Sequence, residues 1–313
     1  MKEDKIKKTV VIVGYRCNNS CVFCIDQEKR ALPEKNLPEI LGDIETARAG
    51  GATYLELIGG EITIRPELLA AIKHAKKLGF DTIAMATNGR MFAYPDVADK
   101  FLRAGLNSVI FSIHGHTAKL HDRLTQSPGS FRQLLAGLQN VKKKLGLARL
   151  ASNTTIVKQN YRVLPQIGEF IGQKLGIRNS EFIFVDPTTG GARIDFFQLV
   201  PKISIAAPYI KKCLDIGREL RAPHWHVRYV PLCYFVDYLD QISELHEVRL
   251  FQTQHLAPDY VNFDVEGSRP VVGRVKPPKC RGCLLFKNCE GLWKEYYRHY
   301  GGGELCPQKT LTK

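Results

Sequence analysis

Two groups of cysteines carry most of the chemistry legible in this 313-residue sequence. Cys17, Cys21 and Cys24 stand in CNNSCVFC, a spacing that gathers three thiols in one short loop. Three thiolates ligate three irons of a four-iron, four-sulfur cubane and leave the fourth iron open. An open position is what separates catalytic metal sites from structural ones. Zinc is the competing occupant, but it ordinarily takes four ligands, and no histidine lies near this loop in sequence. The second group, Cys280, Cys283 and Cys289, reads CxxC-x5-C. Its spacing suits iron–sulfur or zinc, completed by Cys306, His299 or an upstream cysteine. Cys213 falls in a helix-like pattern and reads as a small buried apolar side chain.

The rest of the composition bounds what such groups can be part of. Nine cysteines, six of them in two clusters, point to metal or redox chemistry rather than a disulfide framework. A 44% hydrophobic and 24% charged chain is ordinary for a globular protein with a substantial core. No apolar run approaches the roughly 18 residues of a membrane span. The apolar stretch Val10–Val13 is too short for a signal peptide and reads as a first strand, so a cytoplasmic location is expected. Lys and Arg outnumber Asp and Glu by 45 to 31, a balance that attracts anionic partners. The short basic runs Lys142–Lys144 and Lys211–Lys212 suit solvated helix faces better than a nucleic-acid groove.

Those thiols need a scaffold, and the first two-thirds of the chain supplies its pattern. Short β-branched, apolar runs at Thr9–Gly14, Thr53–Ile58, Thr82–Ala86, Ser108–Ile113, Ala151–Val157 and Glu181–Val185 predict six strands. Helical patterns at Leu37–Ala49, Pro66–Leu78, Pro95–Ala104, Ser130–Leu145 and Tyr161–Leu175 alternate with them. The alternation predicts an α/β fold, a parallel sheet curled into a partial (β/α)6, TIM-like barrel. Ligands of such sheets bind beyond the carboxyl ends of the strands. The unusual stretches Tyr15–Ile25, Gly59–Glu61, Thr87–Gly89, Ser112–Gly115, Asn153–Thr155 and Asp186–Gly191 all fall at that rim. After about residue 200 the pattern breaks, which suggests a barrel over residues 1–200 and a small C-terminal domain over 201–313.

With CxxxCxxC after the first strand and Gly59-Gly60-Glu61 after the second, the sequence resembles the radical S-adenosylmethionine (SAM) superfamily. The resemblance implies a catalytic 4Fe-4S cluster on Cys17, Cys21 and Cys24 with SAM chelating its open iron. It places Phe23 near the adenine, and the backbone and carboxylate of Gly59, Gly60 and Glu61 at the SAM amino group. Asn88 in Thr87-Asn88-Gly89, Ser112 in FSIHG, and Asn153 and Thr155 in the fifth strand match further SAM contacts. Two departures are Ile62, where members often have Pro, and His114, where many peptide-modifying members have Asp. The segment from Cys280 through GLWKEYYRHYGGGELCP is similar to the auxiliary-cluster domains called SPASM or twitch. Trp293 stands where a full SPASM domain has a further cysteine, so one auxiliary 4Fe-4S cluster is expected. Its ligands would be Cys280, Cys283, Cys289 and Cys233, with Cys306 the alternative fourth.

In that family a reduced cluster splits SAM into methionine and a 5′-deoxyadenosyl radical, which takes hydrogen from a substrate. Here the resemblance implies a peptide or small-metabolite substrate and an electron donor such as flavodoxin or ferredoxin. An RNA-modifying enzyme is the alternative, resting only on the positive charge. A non-catalytic iron–sulfur or zinc scaffold is the alternative of another class, and the Gly59–Glu61 placement speaks against it. His114, His116 and His121 gather at the rim as either substrate contacts or a polar loop, and Gly190-Gly191 with Arg193 as either a close ligand approach or a plain turn.

Overall fold

A computed structural model describes residues 5–309. The six expected strands form within a few residues of their expected ends: β1 (Ile6–Ile12), β2 (Tyr54–Ile58), β3 (Thr82–Thr87), β4 (Ser108–Ser112), β5 (Leu150–Ile156) and β6 (Asn179–Phe184). All neighbours pair in parallel, as a chain that crosses back through a helix after each strand must. The crossover helices are α1 (Leu37–Ala49), α2 (Leu68–Lys77), α3 (Pro95–Ala104), α4 (Ala118–Thr125), α5 (Ser130–Leu145) and α6 (Leu164–Glu169). Helix α1 starts where it does because Asn36 and Glu39 cap each other reciprocally, at 3.0 and 2.7 Å. Helix α4, eight residues between two polar loops, was not expected from the pattern.

Two differences follow residue 200. The sheet does not stop at six strands: β7 (His224–Arg228) pairs in parallel with β6, and β8 (Phe251–Leu256) pairs in parallel with β1 at the opposite edge. A short β9 (Val261–Asn262) closes that edge antiparallel to β8. The order is therefore β7-β6-β5-β4-β3-β2-β1-β8-β9, a TIM-like barrel left open between β7 and β8. A helix at Ser243–Leu250 contacts both strands flanking the opening. HWHVR and FQTQHL lack the continuous apolar run of a buried parallel strand, because polar residues alternate with apolar ones in the first and fill Gln252–His255 in the second. The second difference is that the aromatic segment after the second cysteine group forms two elements. Leu292–Trp293 becomes β11, antiparallel to β10 (Arg274–Val275), and only Lys294–Tyr300 is helical.

The outer face of the sheet is apolar: Leu55, Leu57, Met85, Phe111 and Phe182 are fully buried beneath the helices. Each contributes roughly 1.5–3 kcal/mol by leaving water. The opposite face lines a cavity of about 590 Å³ bounded by Glu56, Asn153, Glu181, His226 and Arg228 among others. Its charges are internally matched, with Lys8 2.5 Å from Glu56 and Arg228 3.2 Å from Glu181.

Candidate active site

The cysteine loop follows β1, at the carboxyl rim of the sheet, and neighbouring strand ends fasten it. From the end of β2, the Gly60 N–H donates to the Gly14 carbonyl (3.0 Å) and the Glu61 N–H to the Arg16 carbonyl (2.8 Å). A Cβ on Gly60 would stand 2.1 Å from the Arg16 oxygen, so the two loops touch only because no side chain intervenes. From beyond β6, Gly191 donates to the Cys24 carbonyl at 2.9 Å. From α4, the Thr125 and Leu124 carbonyls accept from Ser20 and Val22, both at 2.9 Å. Gly190 and Gly191 thus meet the cysteine loop rather than an open ligand space. Arg193, considered for a ligand role, instead pairs with Glu28 at 2.5 Å.

Arg30, Arg90 and Gln133, which the sequence left unmarked, complete the fastening together with Asn88. Arg30 donates to the Asn19 carbonyl at 2.9 Å. Arg90 donates to the Asn18 carbonyl and to the Asn19 side chain, and its Nε is held by Gln133 at 2.7 Å. Asn88 reaches from the end of β3 to Asn18 at 2.7 Å, with its Nδ2 3.9 Å from the Cys17 sulfur. The Asn19 N–H points at the same sulfur from 3.3 Å. The only sequence signal for this clamp was the Asn pair inside CNNSC, whose side chains can bond both ways.

The thiols resist ionising on their own. Burial raises the Cys21 thiol to about 12, and the nearby Cys17 and Cys24 push the same way against the pull of Arg30. Burial likewise raises Cys17 and Cys24. Three thiolates here are stable only with a compensating positive centre, and an iron–sulfur core supplies it. The chemistry of the donor set therefore fits such a cluster. As they stand, no three Cys, His, Asp or Glu side chains among the described residues are arranged around a point that a single metal ion would fill.

Glu61 behaves differently from the expectation that its carboxylate meets an amino group. It is 1% exposed and accepts from the Thr63 N–H (3.0 Å), the Thr63 hydroxyl, the Thr87 hydroxyl (2.8 Å) and the Asn88 N–H (2.6 Å). Four donors fill the roughly four lone-pair positions of a carboxylate. Burial raises its pKa while those bonds oppose the rise. The side chain is consequently a brace between the ends of β2 and β3. Among the described residues the carbonyls of Gly59 and Gly60 accept no hydrogen bond, so they are the free polar atoms of this motif.

Phe23 lies inward, 9% exposed, and meets the His114 ring edge-on at 4.7 Å. His114 in turn ties β4 to β5: its Nδ1 accepts from the Thr155 N–H at 3.2 Å, and its own N–H donates to His121 Nδ1 at 3.2 Å. Burial lowers His114 to about 3 and His121 to about 4, so both rings are neutral at pH 7. These are framework histidines, whereas His116 stands apart from their bonds. Ser112 and Asn153 are register partners across β4 and β5, and Asn153 borders the barrel cavity.

The second thiol group also assembles. Cys233, Cys280, Cys283 and Cys289 line one pocket together with Pro231, Leu285 and Leu305. Backbone N–H groups face the sulfurs: Gly291 and Leu232 toward Cys289 at 3.3 and 3.5 Å, Gln308 toward Cys283 at 3.3 Å. Such N–H···S contacts accompany thiolate clusters. Burial raises Cys233 to about 12. Cys306 is exposed and its thiol is turned to the Glu304 carbonyl. Cys213 is fully buried beneath Trp225, as expected.

Comparison with known proteins agrees with the geometry. The chain is 29% identical over 181 residues to an AdoMet-dependent heme synthase of Methanosarcina barkeri, matching 57% of this chain and half of that protein's length. It is 26% identical over 221 residues to a probable GTP 3′,8-cyclase of Saccharolobus solfataricus, covering 70% of this chain and 69% of the other. Streptococcus suis SuiB, solved with its precursor peptide SuiA, superposes over 97% of this chain and 75% of its own with a TM-score of 0.66. At 14% identity that likeness speaks for the fold. The radical SAM family model matches residues 11–171, the span that holds the end of β1, the cysteine loop, the Gly59–Glu61 turn and β2 to β5, and the chain is an enzyme of the radical SAM superfamily.

Proposed function

We propose that this enzyme cleaves SAM reductively at a 4Fe-4S cluster on Cys17, Cys21 and Cys24 and takes hydrogen from a peptide or small metabolite. The observation that carries the reading is the fastening of a three-thiol loop by the glycines of β2 and the asparagine of β3. When bound, the cluster and SAM supply a 5′-deoxyadenosyl radical. The protein's part is placement. Gly59 and Gly60 offer carbonyls to the SAM ammonium, and Glu61 fixes Thr87 and Asn88 beside them. Phe23 provides an apolar wall for the adenine, while Ser112, Asn153 and Thr155 face the ribose and carboxylate.

Residues 1–200 form the catalytic part and residues 201–313 carry the second thiol site, which also lends β7 and β8 to the barrel. Cys233, Cys280, Cys283 and Cys289 suit an auxiliary 4Fe-4S cluster whose irons are all protein-ligated. A closed site of this kind favours electron exchange over direct substrate binding.

The test is anaerobic reconstitution, an iron and sulfide count, and incubation with dithionite and SAM. About eight irons per chain and release of 5′-deoxyadenosine are expected. About four irons with one zinc would keep the catalytic reading and remove the auxiliary cluster. Absence of both SAM binding and 5′-deoxyadenosine would remove the whole proposal.

A further inference from the structure

The loop that carries the second thiol group has an outer face the catalytic reading does not use. Between Lys276 and Cys289 it bears Lys276, Lys279, Arg281 and Lys287 and no acidic residue. Lys279, Arg281 and Lys287 are exposed, and Arg281 and Lys287 enter no ion pair among the described residues. Set among them are two large apolar side chains in water, Leu284 at 52% and Phe286 at 38% exposure. The pieces are contiguous. The Lys276 ammonium bonds to the Phe286 carbonyl at 2.6 Å and lies 4.6 Å from its ring centroid. The Leu284 N–H bonds to the Gln308 carbonyl at 2.9 Å, which brings the exposed Lys309 to the same edge. Directly beneath, the same loop turns Cys280 and Cys283 into the four-thiol pocket.

Cationic rims around a small apolar centre are how proteins bind acidic partners transiently. A redox-active thiolate site just under that rim narrows the partner's kind. We propose that the Lys276–Lys287 face, with Lys309, docks an acidic one-electron carrier protein of the flavodoxin or ferredoxin class. The proposal rests on the reading that the four-thiol pocket holds an iron–sulfur cluster. The scattered basic residues elsewhere, such as Lys142–Lys144 on α5, have no apolar centre and no thiols below them.

The test measures binding, not turnover. Reconstituted enzyme is immobilised anaerobically, and a flavodoxin and a 2Fe-2S ferredoxin, both strongly acidic, are titrated at low and high salt. Arg281→Glu with Lys287→Glu is expected to weaken carrier binding about tenfold or more, with a flatter salt dependence. Leu284→Asp should weaken it at all salt concentrations. Lys142→Glu with Lys143→Glu, equal in charge change, should leave it within about twofold. Iron content of each variant is measured alongside. Full iron with carrier binding indifferent to the Arg281 and Lys287 changes overturns the docking face alone. Binding of a tRNA probe that the same changes abolish, with no carrier bound, overturns it in favour of a nucleic-acid surface. Absence of iron from the four-thiol site in the parent enzyme overturns the underlying reading instead.

Discussion

Gly191 gives the sharpest test of how the cysteine loop is held. Replacing it with alanine puts a Cβ 1.9 Å from the Val22 carbonyl oxygen and 2.9 Å from the Gln27 side chain. Real Cβ contacts essentially never fall below 3.0 Å, so Val22 or the Gly191 turn must retreat by at least about 1.1 Å. The Gln27 amide can swing aside, but the Val22 backbone lies between Cys21 and Cys24 and cannot move without them. Thiol positions that are wrong by an ångström do not close a cubane. Overpacking of this kind costs about 1–3 kcal/mol globally. The larger effect is local: Gly191→Ala should assemble only the second site, and iron should fall from about eight to about four per chain. SAM-dependent formation of 5′-deoxyadenosine should fall with it. Gly42→Ala is the control. It lies exposed in α1 with nothing within 4 Å of its Cβ, and should raise stability by about 0.5–1 kcal/mol with full iron. Full iron and normal SAM cleavage in Gly191→Ala would refute the claim that this turn sets the loop.

Three further outcomes follow from the bonding. Cys233→Ser should lose about four irons per chain while Cys306→Ser keeps about eight, measured by iron and sulfide assay, because only Cys233 shares the pocket. Glu61→Gln should lower stability by about 3 kcal/mol in chemical denaturation, since an amide offers one acceptor oxygen to four buried donors, and the Thr87–Asn88 turn should loosen. The buried histidines predict acid sensitivity. His114 and His121 are held neutral with pKa lowered to about 3 and about 4, so the unfolded chain takes up their protons first. Their contribution is intact above the unfolded value near 6.5 and is lost as pH falls from there toward the folded values, at up to about 1.4 kcal/mol per pH unit for each ring. Denaturant midpoints at pH 7 and pH 5 test this, and His114→Asn should flatten the decline.

What could be read from the sequence divides along a physical line. The cysteine loop, the Gly59–Glu61 turn and β1 to β6 announce themselves because short spacing and apolar runs are local properties. In β7 and β8, unlike β1 to β6, no two apolar residues are adjacent, because His226 in one and Gln252–His255 in the other separate them. Polar side chains spoil the apolar signal, yet the barrel has room for them beside its charged cavity. The clamp of Arg30, Arg90, Asn18 and Asn19 joins residues up to 72 positions apart, and no local pattern records such a pairing.

Glu61 shows how the two kinds of information combine. Spacing places it beside the three thiols, but only its donors reveal that the carboxylate is spent on the protein. A fully bonded carboxylate keeps the β2 and β3 ends in register, and that register sets where Asn88 meets the cysteine loop. Its negative charge also acts at a distance, raising the Cys17 thiol along with the burial that dominates. That charge costs the thiolate and not the neutral thiol, so Cys17 keeps its proton until a cationic core takes its place. The motif therefore prepares Cys17 for ligation by geometry, and its charge makes the site depend on a cationic core.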